Sequence, residues 1–120
     1  MPSIAGLLLA AAGFAAWAVF SALPMFEGRG IREAWDTQLY WIVGVPVLLI
    51  AVAAAGYFTR EALWKLALWP IAGHALAMVL VRPAGADFGL LPLALILIGL
   101  PAFVVFIGLA YAGRIFTRAA

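Results

Sequence analysis

FGLLPLALILIGLPAFVVFIGLAYAG, residues 88–113, decides the fold class. It contains no Asp, Glu, Lys, Arg or His, and it exceeds the ~20 residues an α-helix needs to cross ~30 Å of hydrocarbon. Nor does it alternate apolar and polar residues as a barrel strand would. Only helices and closed barrels satisfy their backbone hydrogen bonds in lipid, so this segment is expected to be a transmembrane helix.

The rest of the chain repeats the pattern. Of 120 residues, 68% are hydrophobic and 10% charged, well outside the mix of a soluble globular chain. The charges cluster and leave further uncharged runs at 1–26, 37–59 and 66–81, interrupted in the last by a single histidine. That run is short, but Ala62, Leu63 and Trp64 extend it if Lys65 carries its ammonium back to the headgroups. The expectation is an all-α membrane protein: one domain over 1–120, a four-transmembrane-helix bundle of two antiparallel hairpins, with helices at about 4–25, 39–58, 62–81 and 90–112.

The first of these, MPSIAGLLLAAAGFAAWAVFSALP, is expected to be a retained helix. A secretory signal wants a basic n-region and an apolar core of only ~7–15 residues. Orientation rests on a small bias. Arg60, Lys65, Arg114 and Arg118 fall on one side, and Arg29, Arg32 and Arg82 fall on the other with four acids, which favours both termini inside. Trp35, Tyr40 and Trp41 would then form an outer aromatic girdle, and Tyr57, Trp64 and Tyr111 an inner one. The net charge of +2 is too small and too scattered for a nucleic-acid surface.

Between the first two helices, 27–38 is the largest polar segment. Ile31, Trp35 and Leu39 recur at helical spacing while Arg32, Glu33 and Asp36 take another face. That pattern fits an interfacial helix and a candidate partner-docking segment, Arg32, Glu33, Trp35 and Asp36; a solvated loop is the other reading.

Inside the bundle, Pro46, Pro70 and Pro101 each lack a donor and free the carbonyl four residues earlier, those of Ile42, Leu66 and Leu97. Three kinked helices are expected. Small residues four apart, Gly6/Ala10, Ala12/Ala16, Ala51/Ala55, Gly73/Ala77 and Gly108/Ala112, permit close helix approach. There is also an internal echo. VGVPVLLIAVAAAGYFTR (43–60) and IGLPAFVVFIGLAYAGRIFTR (98–118) share Gly-x-Pro, a later Gly and Phe-Thr-Arg, which reads either as a repeated hairpin or as independent use of one helix device.

Polar groups at membrane depth are few: Ser21, His74 and the indoles of Trp17 and Trp69. With no cysteine, no paired carboxylate and no second metal ligand in the spans, neither a catalytic nor a metal site is expected. Small multidrug-resistance transporters share this length and helix count, but their first helix carries a glutamate, and no acid precedes Glu27 here. Fluoride channels differ too, because this chain has no asparagine.

The stretch GHALAMVLVRP (73–83) resembles the end of a bacterial light-harvesting polypeptide, in which a mid-membrane histidine ligates bacteriochlorophyll. The resemblance implies a tetrapyrrole on His74, although Pro70 stands where those single-helix polypeptides usually carry alanine. Read from its own surroundings, His74 instead bonds the Pro70 carbonyl or a neighbouring helix, or serves as a proton- or ligand-sensing group. The functional expectation is a non-enzymatic accessory or assembly subunit of a bacterial inner-membrane complex, or a self-associating bundle. The alternative is a small channel or transporter whose path is lined by the three prolines and His74.

Overall fold

The computed structural model describes residues 3–26, 28, 34, 37–81 and 91–119. All secondary structure among them is helical: α1 (Ile4–Phe26), a π-helical turn (Tyr40–Gly44) leading into α2 (Val45–Phe58), α3 (Leu63–Leu80) and α4 (Leu91–Ala119). Four spans, Ile4–Leu23, Tyr40–Phe58, Leu63–Leu80 and Pro92–Thr117, are long and apolar enough to cross a membrane. With four such helices among the described residues, the chain is a multi-pass membrane protein. The segment singled out for docking, Arg32, Glu33, Trp35 and Asp36, lies outside the described residues.

Local chemistry sets the helix ends. Ser3 caps α1, its Oγ accepting from the Gly6 amide at 2.9 Å. Thr37 starts the second span: its Oγ1 accepts from the Tyr40 amide at 3.3 Å and donates to the Ala34 carbonyl at 2.8 Å. The π turn follows, the Val45 amide reaching back to the Tyr40 carbonyl. This wider turn takes up a residue just ahead of Pro46, whose missing donor falls inside one continuous helical run from 38 to 58. α2 ends at Thr59, whose extended backbone (ψ 163°) leaves the helix while its amide and hydroxyl both donate to the Ala55 carbonyl. Likewise, α3 and α4 continue through Pro70 and Pro101. α4 also runs past the expected end at 112, because Arg114 and Thr117 have partners at the end of α2 and in the α2–α3 connection. Arg114 Nη2 donates to the carbonyls of Thr59 and Glu61, and Thr117 Oγ1 donates to the Tyr57 carbonyl at 2.7 Å.

The closest packing joins alternate helices, α1 with α3 and α2 with α4. Glycine makes both contacts possible. Gly13 lies on the Pro70 carbonyl and Gly73 on the Ala10 carbonyl, so a Cβ on either would strike the facing oxygen. In the second pair, Gly56 meets the Ala110 carbonyl and Gly113 the Ala53 carbonyl. Contacts along α1 and α3 advance together, from Gly6 against Trp69, through Ala10 against Gly73, to Trp17 bonding Val81, so these two helices run in the same direction.

Each crossing is reciprocal. Ala10 and Gly13 meet Gly73 and Pro70, and Ala53 and Gly56 meet Gly113 and Ala110, as in two copies related by a local two-fold axis. The echoed sequences 43–60 and 98–118 carry Gly56 and Gly113 and therefore face each other across the second crossing. The sequence pattern that matters here is Ala-x-x-Gly, with Pro70 in the place of the alanine on α3. Of the small-xxx-small pairs, Gly73 does make a backbone approach, but Gly6 faces the Trp69 ring and Gly108 faces open space. A buried apolar cluster of Leu9, Leu48, Val52, Leu66 and Phe106 ties all four helices together.

Candidate functional site

A second buried cluster, built around Trp17, Tyr40, Ala77 and Met78, borders the histidine that the sequence leaves unexplained. Gly73 holds this part of α3 against α1, and His74 follows it one turn after Pro70. Its Nε2 lies 2.7 Å from the hydroxyl of Tyr40, on the π turn, and not in a bond to the Pro70 carbonyl one turn back. The Trp17 ring stands edge-on to both, with centroids 5.2 Å from His74 and 6.1 Å from Tyr40, and Phe20 packs on Tyr40 at 6.3 Å. The Trp17 indole N–H donates to the Val81 carbonyl at 3.2 Å, tying α1 to the end of α3.

Tyr40 corrects the sequence reading. It was expected in an aromatic girdle beside Trp41, yet it is buried at 7% exposure while Trp41 is 55% exposed. Aromatic residues near span ends read as interfacial by default. Tyr40 already falls within the expected helix 39–58, and its burial follows from the approach of His74 on α3, which sequence spacing does not show.

His74 and Tyr40 line a cavity of about 300 Å³ between the start of α2, the middle of α3 and the first half of α4. Its other walls are almost entirely apolar and include Val45, Leu48, Ile71, Met78, Ile98 and Phe106. Pro70 borders it, whereas Pro46 and Pro101 are not among its walls. The three prolines thus do not converge with His74 on one space. His74 Nδ1 makes no hydrogen bond with a described residue. For a tetrapyrrole metal to ligate Nε2, Tyr40 would have to be displaced from it. Ser21, the other polar side chain at depth, is fully buried with its hydroxyl unpartnered.

At the opposite end, a cleft of about 330 Å³ is bordered by Tyr57, Thr59, Arg60, Arg114 and Thr117. The Arg114 Nη2 donates to the Thr59 and Glu61 carbonyls and so links α4 to the α2–α3 connection at this end of the bundle, while its Nε is buried without a partner. Among the described residues no three of His, Cys, Asp or Glu come together in a way that would hold a metal ion. No protein-family model, curated protein or solved structure matches the chain.

Proposed function

We propose that this chain is a bacterial inner-membrane protein that acts, without catalysis of its own, as an accessory or assembly subunit of a larger membrane complex or as a self-associating bundle. The observation that carries this reading is the position of α4. In the most apolar stretch of its span only 11% of residues are buried within the chain, against 28–33% in the other three spans. Val104 is 69% exposed, and Gly108 has nothing within reach of a Cβ. Lipid covers such a face without gain or loss of hydrophobic free energy, and a partner helix adds packing contacts that lipid does not. Two antiparallel hairpins, both termini on the cytoplasmic side and bends at the three prolines belong to the same proposal. The gathering of Thr59, Glu61 and Arg114 at one end, and of Phe20 with Gly44 at the other, supports the hairpins.

Purification in mild detergent followed by native mass spectrometry tests the proposal. The expected result is a homo-oligomer or a larger complex that is weakened by Gly108→Leu while the bundle stays folded. A strictly monomeric protein with no co-purifying partner overturns it. A small channel or transporter is the second reading, favoured by the shared position of Pro70 and His74 on one cavity wall. Flux in proteoliposomes that is lost in His74→Gln would place it first.

A further inference from the structure

The polar pair in the cavity is one hydrogen bond short. A neutral imidazole and a phenol carry two donors between them, one ring N–H and one O–H, and their mutual contact at 2.7 Å uses only one. If Tyr40 donates to Nε2, the Nδ1–H of His74 is left over; if Nε2–H donates to Tyr40, the phenolic O–H is left over. Either tautomer therefore leaves one donor on a residue that lines the cavity. No side chain on the cavity wall other than the pair itself can act as more than a weak acceptor, since the one further polar group, the Trp41 indole, only donates. An unpaired donor in apolar surroundings costs free energy, so the space favours an occupant that brings an acceptor.

The fold does not demand a polar ring here. The reciprocal crossing of α1 and α3 places Gly13 and Gly73 in equivalent positions, which makes Phe14 the counterpart of His74. Phe14 packs in the same cluster as an ordinary apolar ring. His74 lies six residues, ~9 Å, before the end of α3 at Leu80, and its partner Tyr40 opens the second span. The aromatic walls, Tyr40, Trp41 and Phe106, suit a flat ring.

We propose that the cavity between α2, α3 and α4 binds a lipid-soluble quinone, a ring ketone on an apolar tail, whose carbonyl oxygen accepts the hydrogen bond left over by the His74–Tyr40 pair. The site stands whether or not the bundle is a subunit. The ring lies against Ile71, Ile98 and Phe106, and the tail leaves past Gly99, where nothing lies within reach of a Cβ.

The single histidine makes the test direct, because ¹⁵N-histidine labelling of the whole chain reads His74 alone. The labelled protein in nanodiscs is titrated with a short-tailed prenyl benzoquinone, with monoolein as an ester carbonyl and with a hydrocarbon of matching length. A saturable shift of the imidazole nitrogens with the quinone only is the expected result. Ile98→Trp, which fills the cavity without touching the polar pair, should abolish the saturation and leave the His74 signals of the empty protein in place. Tyr40→Phe leaves the imidazole its one N–H and should retain a saturable quinone shift, whereas Tyr40→Phe combined with His74→Phe removes both donors and should weaken binding by about tenfold, the worth of one such hydrogen bond, as read by quinone quenching of tryptophan fluorescence. No saturable response to the quinone overturns the proposal, as does an equal response to the hydrocarbon or a response to monoolein alone.

Discussion

At the scale of single residues, the protein is organised by a few polar groups whose partners lie far away in sequence. Tyr40 and His74 are separated by 34 positions, and only the packing of the π turn on α3 brings them within 2.7 Å. Tyr40→Phe removes that bond and little volume. It should lower unfolding stability in detergent by about 0.5–2 kcal/mol, the range for hydrogen bonds between membrane helices, as read by steric trapping. Arg114 is the corresponding residue at the other end. Its Nη2 serves two carbonyls of the α2–α3 connection, so Arg114→Leu should cost about 1.5–3 kcal/mol, while Arg114→Lys should recover only part of the loss because an ammonium lacks the planar fork. Thermal melts of the three proteins check the order. His74 is conspicuous in the sequence because it is the only histidine. Tyr40 is not, since an aromatic residue at a span end is commonplace and its burial depends on a neighbour that sequence spacing does not reveal.

At the scale of elements, length and apolarity made the four helices legible, whereas pairing was not. The observed α1, α2 with its π turn, and α3 match the expected 4–25, 39–58 and 62–81 closely, because apolar runs bounded by Glu27, Arg60, Glu61 and Arg82 leave little freedom. Which face meets which helix is a different problem. In a chain rich in alanine every helix face offers small residues, and the deciding positions are the glycines that oppose a backbone carbonyl. Gly13, Gly56, Gly73 and Gly113 do so, and Gly108 does not. Gly56→Val or Gly113→Val should force α2 and α4 apart and destabilise the bundle by about 1–3 kcal/mol, the usual range for overpacking, or by more where backbone must move. Gly108→Ala should be neutral or slightly stabilising, since it fills open space and favours the helix. Chemical denaturation in mixed micelles separates the two classes. The π turn ahead of Pro46 was also hidden, because a proline announces a disturbed helix without saying whether the chain bends or widens.

At the scale of the whole molecule, two like-directed, glycine-mediated contacts, α1 on α3 and α2 on α4, hold four apolar spans in one bundle. The sequence echo between 43–60 and 98–118 acquires a physical meaning here, since its glycines are the ones that meet. As an integral bundle, the protein should stay in the pellet when membranes are washed with alkaline carbonate and enter solution only with detergent. The central claim is the alternate-helix pairing, and thiol cross-linking in native membranes tests it most directly, because the chain has no cysteine of its own. Ala53→Cys with Ala110→Cys places thiols on the facing sides of α2 and α4, and Ile50→Cys with Val104→Cys places them on outward faces that are 68% and 69% exposed. The account predicts rapid intramolecular cross-linking of the first pair by a short bifunctional reagent and little in the second. Equal or slower reaction of the Ala53/Ala110 pair would contradict it.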